Sequence, residues 1–110
     1  MNDEIEKVFH EMESQGWVRD EDRLERNVNN VDLMIYLAHG KVRASIYAPL
    51  DVDIENIVKR VEQAGRMHAA LKDKGYEADW HRVSDAFEIE YTIPYGTIEN
   101  LQKILKDMAL

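Results

Sequence analysis

Three ionisable side chains late in the chain have the types that divalent metal ions bind. His81, Glu88 and Glu90 belong to two runs, "YEADWHRV" and "AFEIEYTI", which the dipeptide Ser84-Asp85 separates. If these runs pair as a hairpin, an imidazole and two carboxylates can approach one another and hold a divalent metal. However, the spacing matches no established ligand signature, and cross-strand salt bridges give the same pattern. We therefore expect no metal and no other cofactor.

A second group of residues could line a small pocket, and it comprises His68, Tyr76 and Trp80. His68 lies one helical turn after Gly65 on the apolar stripe of a predicted helix. A buried histidine needs a hydrogen-bond partner, and a glycine lets another element approach closely. We favour a core histidine bonded to a backbone carbonyl, beside a tight helix crossing at Gly65. The functional alternative is the pocket.

Composition excludes several functions. The chain has no cysteine, which rules out thiolate metal sites and a cysteine nucleophile. The net charge is −8 and the basic residues are interleaved with acids, so we expect no nucleic-acid partner. No run is long enough to span a membrane. The acidic start "MNDEIEKVFHEMES" lacks the features of a signal peptide, so a cytoplasmic location is expected.

Periodic patterns supply the elements that would position these residues. Asn2 to Gln15 is predicted to form a helix that ends at Gly16, and the stretch from Val18 to Val28 is either a polar edge strand or a loop. "VDLMIYLA" and "KVRASIYA" alternate at period two around His39-Gly40, which predicts a hairpin. Asp51 or Asp53 caps a helix that runs to about Lys74, with an apolar stripe of Ile54, Ile57, Val58, Val61, Gly65, His68 and Leu71.

The rest of the chain repeats the order of a hairpin followed by a helix. The second hairpin precedes a last helix that Thr97 caps, and an Ile-Glu-Asn triplet opens both the long helix and the last one. The predicted fold is one α+β domain over residues 1–110, in the order α-(β)-ββ-α-ββ-α. Its antiparallel sheet has four to five strands with helices packed on one face. The repeat indicates an internal ββα duplication or coincidence.

Burial follows from the same patterns. We expect the largest apolar side chains on the inward stripes to form the core: Phe9, Trp17, Ile35, Ile57, Val61, Phe87, Ile89 and Leu101. The opposite face of the sheet is then open. It carries the candidate binding residues Met34, Tyr36, Arg43, Tyr47, His81, Glu88 and Glu90. Tyr, Met and Arg are enriched at protein interfaces, so this face favours a homodimer contact or a site for another protein.

The element order and the Gly16-Trp17 step after the first helix resemble those of the pterin-4a-carbinolamine dehydratases. The active site of that family depends on a His-His-Pro-x-Trp-type motif entering the third strand. Here the matching stretch is "YEADW", in which only Trp80 agrees. No catalytic residue can be carried over, and we expect no dehydratase activity.

With an extra edge strand, the topology is also similar to that of type III secretion chaperones, which are small, acidic and dimeric. That likeness covers no motif. The sequence therefore favours a non-enzymatic protein-binding or adaptor module that forms a homodimer. The alternative is a small enzyme with a dehydratase-like architecture and a displaced site around His68 and Trp80.

Overall fold

A computed structural model describes residues 3–38, 41–93 and 98–108, and within them the chain forms three helices and one antiparallel sheet of six strands. The fold is therefore α+β, as predicted. The elements in chain order are α1 (Asp3–Ser14), β1 (Val18–Asp20), β2 (Arg23–Val28), β3 (Val31–Ala38), β4 (Lys41–Pro49), α2 (Ile54–Asp73), β5 (Glu77–Val83), β6 (Ala86–Thr92) and α3 (Ile98–Met108). No helix in the described ranges is long and apolar enough to cross a membrane.

The strand count corrects the prediction of four to five strands. Residues 18–28 form neither a loop nor a single edge strand but two strands, β1 and β2, and β2 pairs with β3. The turn between β2 and β3 is Asn29-Asn30, whose φ angles are 52° and 66°. Two successive positive φ angles give a tight hairpin turn of the kind that asparagine tolerates. The Asn-Asn pair is therefore a hairpin signal that the sequence prediction did not use.

The sheet order is β1-β2-β3-β4-β6-β5. The two predicted hairpins, β3-β4 and β5-β6, are confirmed, and they join through an antiparallel pairing of β4 with β6 in which Ile46 lies opposite Ile89. The sheet edges in the described part of the chain are β1 and β5. In the second hairpin, β6 rather than β5 lies next to β4. The first strand of that hairpin, β5, therefore forms the edge of the sheet.

Helix termini follow the predicted chemistry. Asp53 is the cap of α2, and its carboxylate accepts a hydrogen bond of 2.9 Å from the Asn56 backbone N–H. Gly16 and Gly75 have φ angles of 97° and 92°, which suit the left-handed turn after a helix. The predicted His39-Gly40 turn and Thr97 cap lie outside the described residues.

The core lies between the helices and one sheet face. Five of the predicted core residues are buried: Phe9, Trp17, Ile35, Ile89 and Leu101. Ile57 and Phe87 are half-buried. The prediction for Val61 was wrong, since its side chain is 42% exposed.

The predicted inward stripe of α2 was also wrong over its first half. The buried residues of this helix are Ala64, Met67 and Leu71, whereas Ile54 and Val58 are 75% and 49% exposed. Apolar residues cover a wide arc of α2, and the arc that the sheet covers is centred on Ala64.

Gly65 does not mark a tight helix crossing. It is exposed, and a Cβ atom built there would have no neighbouring atom within 4 Å. The predicted close approach at this position is therefore wrong.

Replacing Gly65 with alanine should stabilise the protein by about 1 kcal/mol, because alanine favours a helix interior and meets no clash here. Urea denaturation followed by circular dichroism measures the change. The control is Gly75→Ala, which should destabilise the protein because the φ of 92° strains any residue with a Cβ. A loss of stability in Gly65→Ala would mean that α2 has a close neighbour at this position.

Candidate functional site

The face of the sheet opposite the helices, which we call the open face, carries the predicted binding residues together. Because side chains alternate along a strand, these residues project from the face of the sheet that does not carry the buried Ile35, Ala44 and Ile89. The register sets Met34 and Glu90 on either side of Ser45, and Glu88 between Tyr47 and His81. The open face includes Met34, Tyr36, Arg43, Ser45, Tyr47, His81, Glu88 and Glu90.

Charges on the open face are paired within the chain. Arg43 Nη1 donates a hydrogen bond of 2.9 Å to Glu90 Oε1, across β4 and β6. His81 Nε2 lies 3.1 Å from Glu88 Oε1, across β5 and β6. Arg43 therefore has an acidic partner in its own subunit.

A depression of about 390 Å³ opens on this face between the β1–β2 turn and the middle strands. Met34, Tyr36 and Ser45 line it, and Glu88 lies on its wall. Burial raises the pKa of the Tyr36 hydroxyl, and the Glu90 carboxylate adds to that rise while Arg43 opposes it. Tyr36 is thus a neutral, half-buried phenol.

Ser45 is the one buried polar residue in the part of the chain that the structure describes, with 1% of its surface exposed. Within residues 3–38, 41–93 and 98–108, its hydroxyl has no hydrogen-bond partner. A buried hydroxyl left unpaired costs about 1–3 kcal/mol, so its presence at the centre of the open face calls for a reason.

The predicted pocket of His68, Tyr76 and Trp80 is only partly assembled. His68 and Tyr76 line a depression of about 430 Å³ together with Glu77 and Asp79. Trp80 lies apart from that depression, and its ring packs on Phe87 with centroids 5.7 Å apart. The three residues therefore do not form one site.

The hydrogen-bond partner of His68 also differs from the expected backbone carbonyl. His68 Nδ1 lies 2.9 Å from the hydroxyl of Tyr91, which is buried on β6. Burial raises the pKa of Tyr91, so this hydroxyl stays protonated. The contact ties α2 to the sheet.

A polar cluster that the sequence prediction did not include joins the start of β5 to α3. Tyr76 donates a hydrogen bond of 2.6 Å to Asp107 Oδ2. Lys103 Nζ lies 2.9 Å from the Tyr76 hydroxyl oxygen and 2.9 Å from Asp107 Oδ2. Burial alone would raise the pKa of Asp107, but the hydrogen bonds from Tyr76 and Lys103 outweigh it and hold the pKa below its usual value. The Lys103–Asp107 spacing of four residues on a helix was the available signal.

The second candidate surface is apolar and lies on the helix side of the sheet. Ile54, Val58 and Val61 repeat at i, i+4 and i+7, and the same row continues through Gly65 to His68. At the end of this row, His68 contacts Tyr91 of β6. We call Ile54, Val58 and Val61 the α2 row.

Trp80 is a further exposed apolar residue on the helix side, and it belongs to the edge strand β5. It lies opposite the buried Ile89, so it projects from the helix side of β5, yet it is 70% exposed. Exposed large apolar side chains on one side of a molecule are typical of an interaction site. The sequence pattern predicts the α2 row as core and Trp80 as a pocket residue, and so does not reveal this surface.

No protein-family model matches this chain, and no curated protein sequence matches it. The molecule is an α+β protein with one polar and one apolar candidate surface. A catalytic pocket would place His68 or His81 beside a carboxylate at a concave site. Among the described residues, His68 is hydrogen-bonded to Tyr91 rather than to the carboxylates of its depression, and His81 is exposed on the open face.

The Asp107 cluster makes stability depend on pH. A carboxylate whose pKa is lower in the folded state adds stability above its unfolded value of about 4, and this contribution is lost as the pH falls through the folded pKa. Asp107→Asn should therefore be less stable than wild type at pH 7 and lose less stability below about pH 4. Urea midpoints measured across this range test the difference. The exposed Asp51, changed to asparagine, is the control and should follow the wild type, whereas equal acid sensitivity in Asp107→Asn would contradict the role of the cluster.

Proposed function

We propose that this chain is a non-enzymatic protein-binding module that acts as a homodimer, with a second copy bound along the outer edge of β5. The observation that carries this proposal is the set of exposed apolar side chains on the helix side of the sheet, namely Trp80 on the edge strand β5 and the α2 row. Monomeric proteins rarely leave such a patch uncovered.

The edge itself needs a partner. β5 has seven residues, pairs with β6 on its inner side, and pairs with no other strand in the described ranges. Its unpaired N–H and C=O groups are a template for another strand. The opposite edge strand, β1, has only three residues, so β5 is the longer unprotected edge.

The sequence of β5 suits antiparallel pairing with a second copy of itself. A two-fold axis at Trp80 places Asp79 opposite the partner's His81, twice, and sets the two indole rings side by side on the helix side. An axis at Asp79 would oppose two like charges, and one at His81 would oppose two imidazoles. Of these three registers, the Trp80 register is the one that opposes no like residues other than the two indole rings.

The internal repeat supports the same site. If β3-β4-α2 and β5-β6-α3 are duplicated units, β5 corresponds to β3, whose outer edge β2 covers. The partner's β5 would then occupy the place that β2 has on β3. By the same correspondence, Val61 of α2 matches Leu105 of α3, and Leu105 is 2% exposed while Val61 is 42% exposed. We include the duplication in the proposal on this ground.

The open face is then available to a different protein. The sequence pattern favours self-association there, with Arg43 of one subunit meeting the acids of the other. Arg43 is instead paired with Glu90 of its own chain, which weakens that argument for a second copy. We propose that the open face, with its half-buried Met34 and Tyr36, receives the other partner.

Sedimentation equilibrium at micromolar concentration tests the dimer. We expect a wild-type dimer, and a dissociation constant raised at least about 30-fold by Trp80→Glu, because a central aromatic carries about 2 kcal/mol or more of binding energy. Tyr36→Asp combined with Tyr47→Asp should leave the dimer intact. Circular dichroism confirms that each variant is folded.

Val18→Glu is the matched control, since Val18 is 65% exposed on the opposite edge strand and should tolerate a charge. A wild-type monomer would refute the dimer. Dissociation caused by the Tyr36 and Tyr47 changes but not by Trp80→Glu would move the interface to the open face.

A further inference from the structure

The open face brings three potential metal ligands together. One ligand atom from each of His81, Glu88 and Glu90 lies within 4.8 Å of the other two. Their side chains are 46%, 16% and 30% exposed, so the cluster is reachable from solvent and its carboxylates are partly shielded. Two carboxylates and one imidazole carry two negative charges that a divalent cation would balance.

A second observation at the same place points to a ligand. The unpartnered hydroxyl of Ser45 belongs to the residue opposite Glu90, and Ser45 lines the depression whose wall includes Glu88. A water molecule bound to a metal ion would give this hydroxyl the hydrogen-bond partner that it lacks.

We propose that His81, Glu88 and Glu90 form a binding site for a divalent transition-metal ion, with Zn²⁺ as the best fit, and that Ser45 hydrogen-bonds a water on the ion. An imidazole nitrogen favours Zn²⁺ over Mg²⁺ and Ca²⁺, which prefer oxygen ligands. Three protein ligands and one water complete a tetrahedral shell.

The geometry needs only small side-chain movements. Ligands about 2.0–2.2 Å from Zn²⁺ lie about 3.5 Å from one another in a tetrahedron. His81 Nε2 and Glu88 Oε1 are already 3.1 Å apart, so Glu90 has the farthest to move. Its side chain is 30% exposed, and a small change of rotamer together with its Arg43 partner would close the remaining distance.

Arg43 acts as a positioning residue. Its hydrogen bond of 2.9 Å to Glu90 Oε1 fixes that carboxylate and leaves the second oxygen for the metal. The guanidinium charge opposes the ion, and this repulsion limits affinity. The two proposals share His81, which lies opposite the partner's Asp79 in the proposed dimer, whereas Glu88 and Glu90 lie on β6, one strand in from that edge.

Isothermal titration of metal-free protein with ZnCl₂ tests the site. We expect one ion per chain, no binding of MgCl₂, and loss of that binding step in His81→Gln and in Glu88→Gln combined with Glu90→Gln. Ser45→Ala should keep the fold and weaken affinity about tenfold, as expected for a residue that orients a metal-bound water. His10→Gln is the control, since His10 is exposed on α1 and should not affect the binding step.

Several results would overturn the proposal. They are no saturable binding of Zn²⁺, stoichiometric binding that survives His81→Gln, and equal loss in His10→Gln, which would indicate adventitious surface binding. An unchanged affinity in Ser45→Ala would overturn the role of the bound water. Repeating the titration on Trp80→Glu separates the two proposals, because the metal site is expected to persist in a monomer.

Discussion

One-sided coverage of the sheet is the constraint on which the rest of the structure depends. All three helices pack on one face, so every central strand must place apolar residues inward and polar ones outward. Ile35, Ala44 and Ile89 follow this alternation on neighbouring strands and are almost fully buried. The outward residues cannot be buried with their charges unpaired, and they form cross-strand pairs instead. The polar character of the open face is therefore a consequence of the core.

The sequence predicted those parts of the fold in which a local pattern is sufficient. Period-two alternation identified β3 to β6, and glycine with a following aromatic identified the ends of α1 and α2. The charged run from Val18 to Val28 left an edge strand and a loop as alternatives, and only the structure shows that it forms two strands. The register of α2 failed for a different reason: apolar residues cover more of that helix than the sheet does, and no local pattern tells which arc is covered.

The candidate sites also combine features that a local sequence pattern predicts with features that it does not. Strand alternation in the sequence is enough to place Arg43, Glu88 and Glu90 on one face. The pairing of Arg43 with Glu90 depends on β4 lying beside β6, a contact between distant parts of the chain that no local pattern specifies. Exposure of Trp80 likewise depends on β5 ending the sheet. The sequence was sufficient to predict which residues lie on the open face. It was not sufficient to predict which of them pair or how exposed a side chain is.

The pairing of β4 with β6 also determines how the chain can fold. Hairpins β3-β4 and β5-β6 close over short loops and form within microseconds, whereas the pairing of Ile46 with Ile89 must wait until α2 and β5 have folded back. Until then β4 presents an open edge that β6 of any nearby molecule fits equally well. Destabilising α2 would therefore favour domain swapping, in which two chains exchange their β5-β6-α3 units and rebuild the same sheet between them.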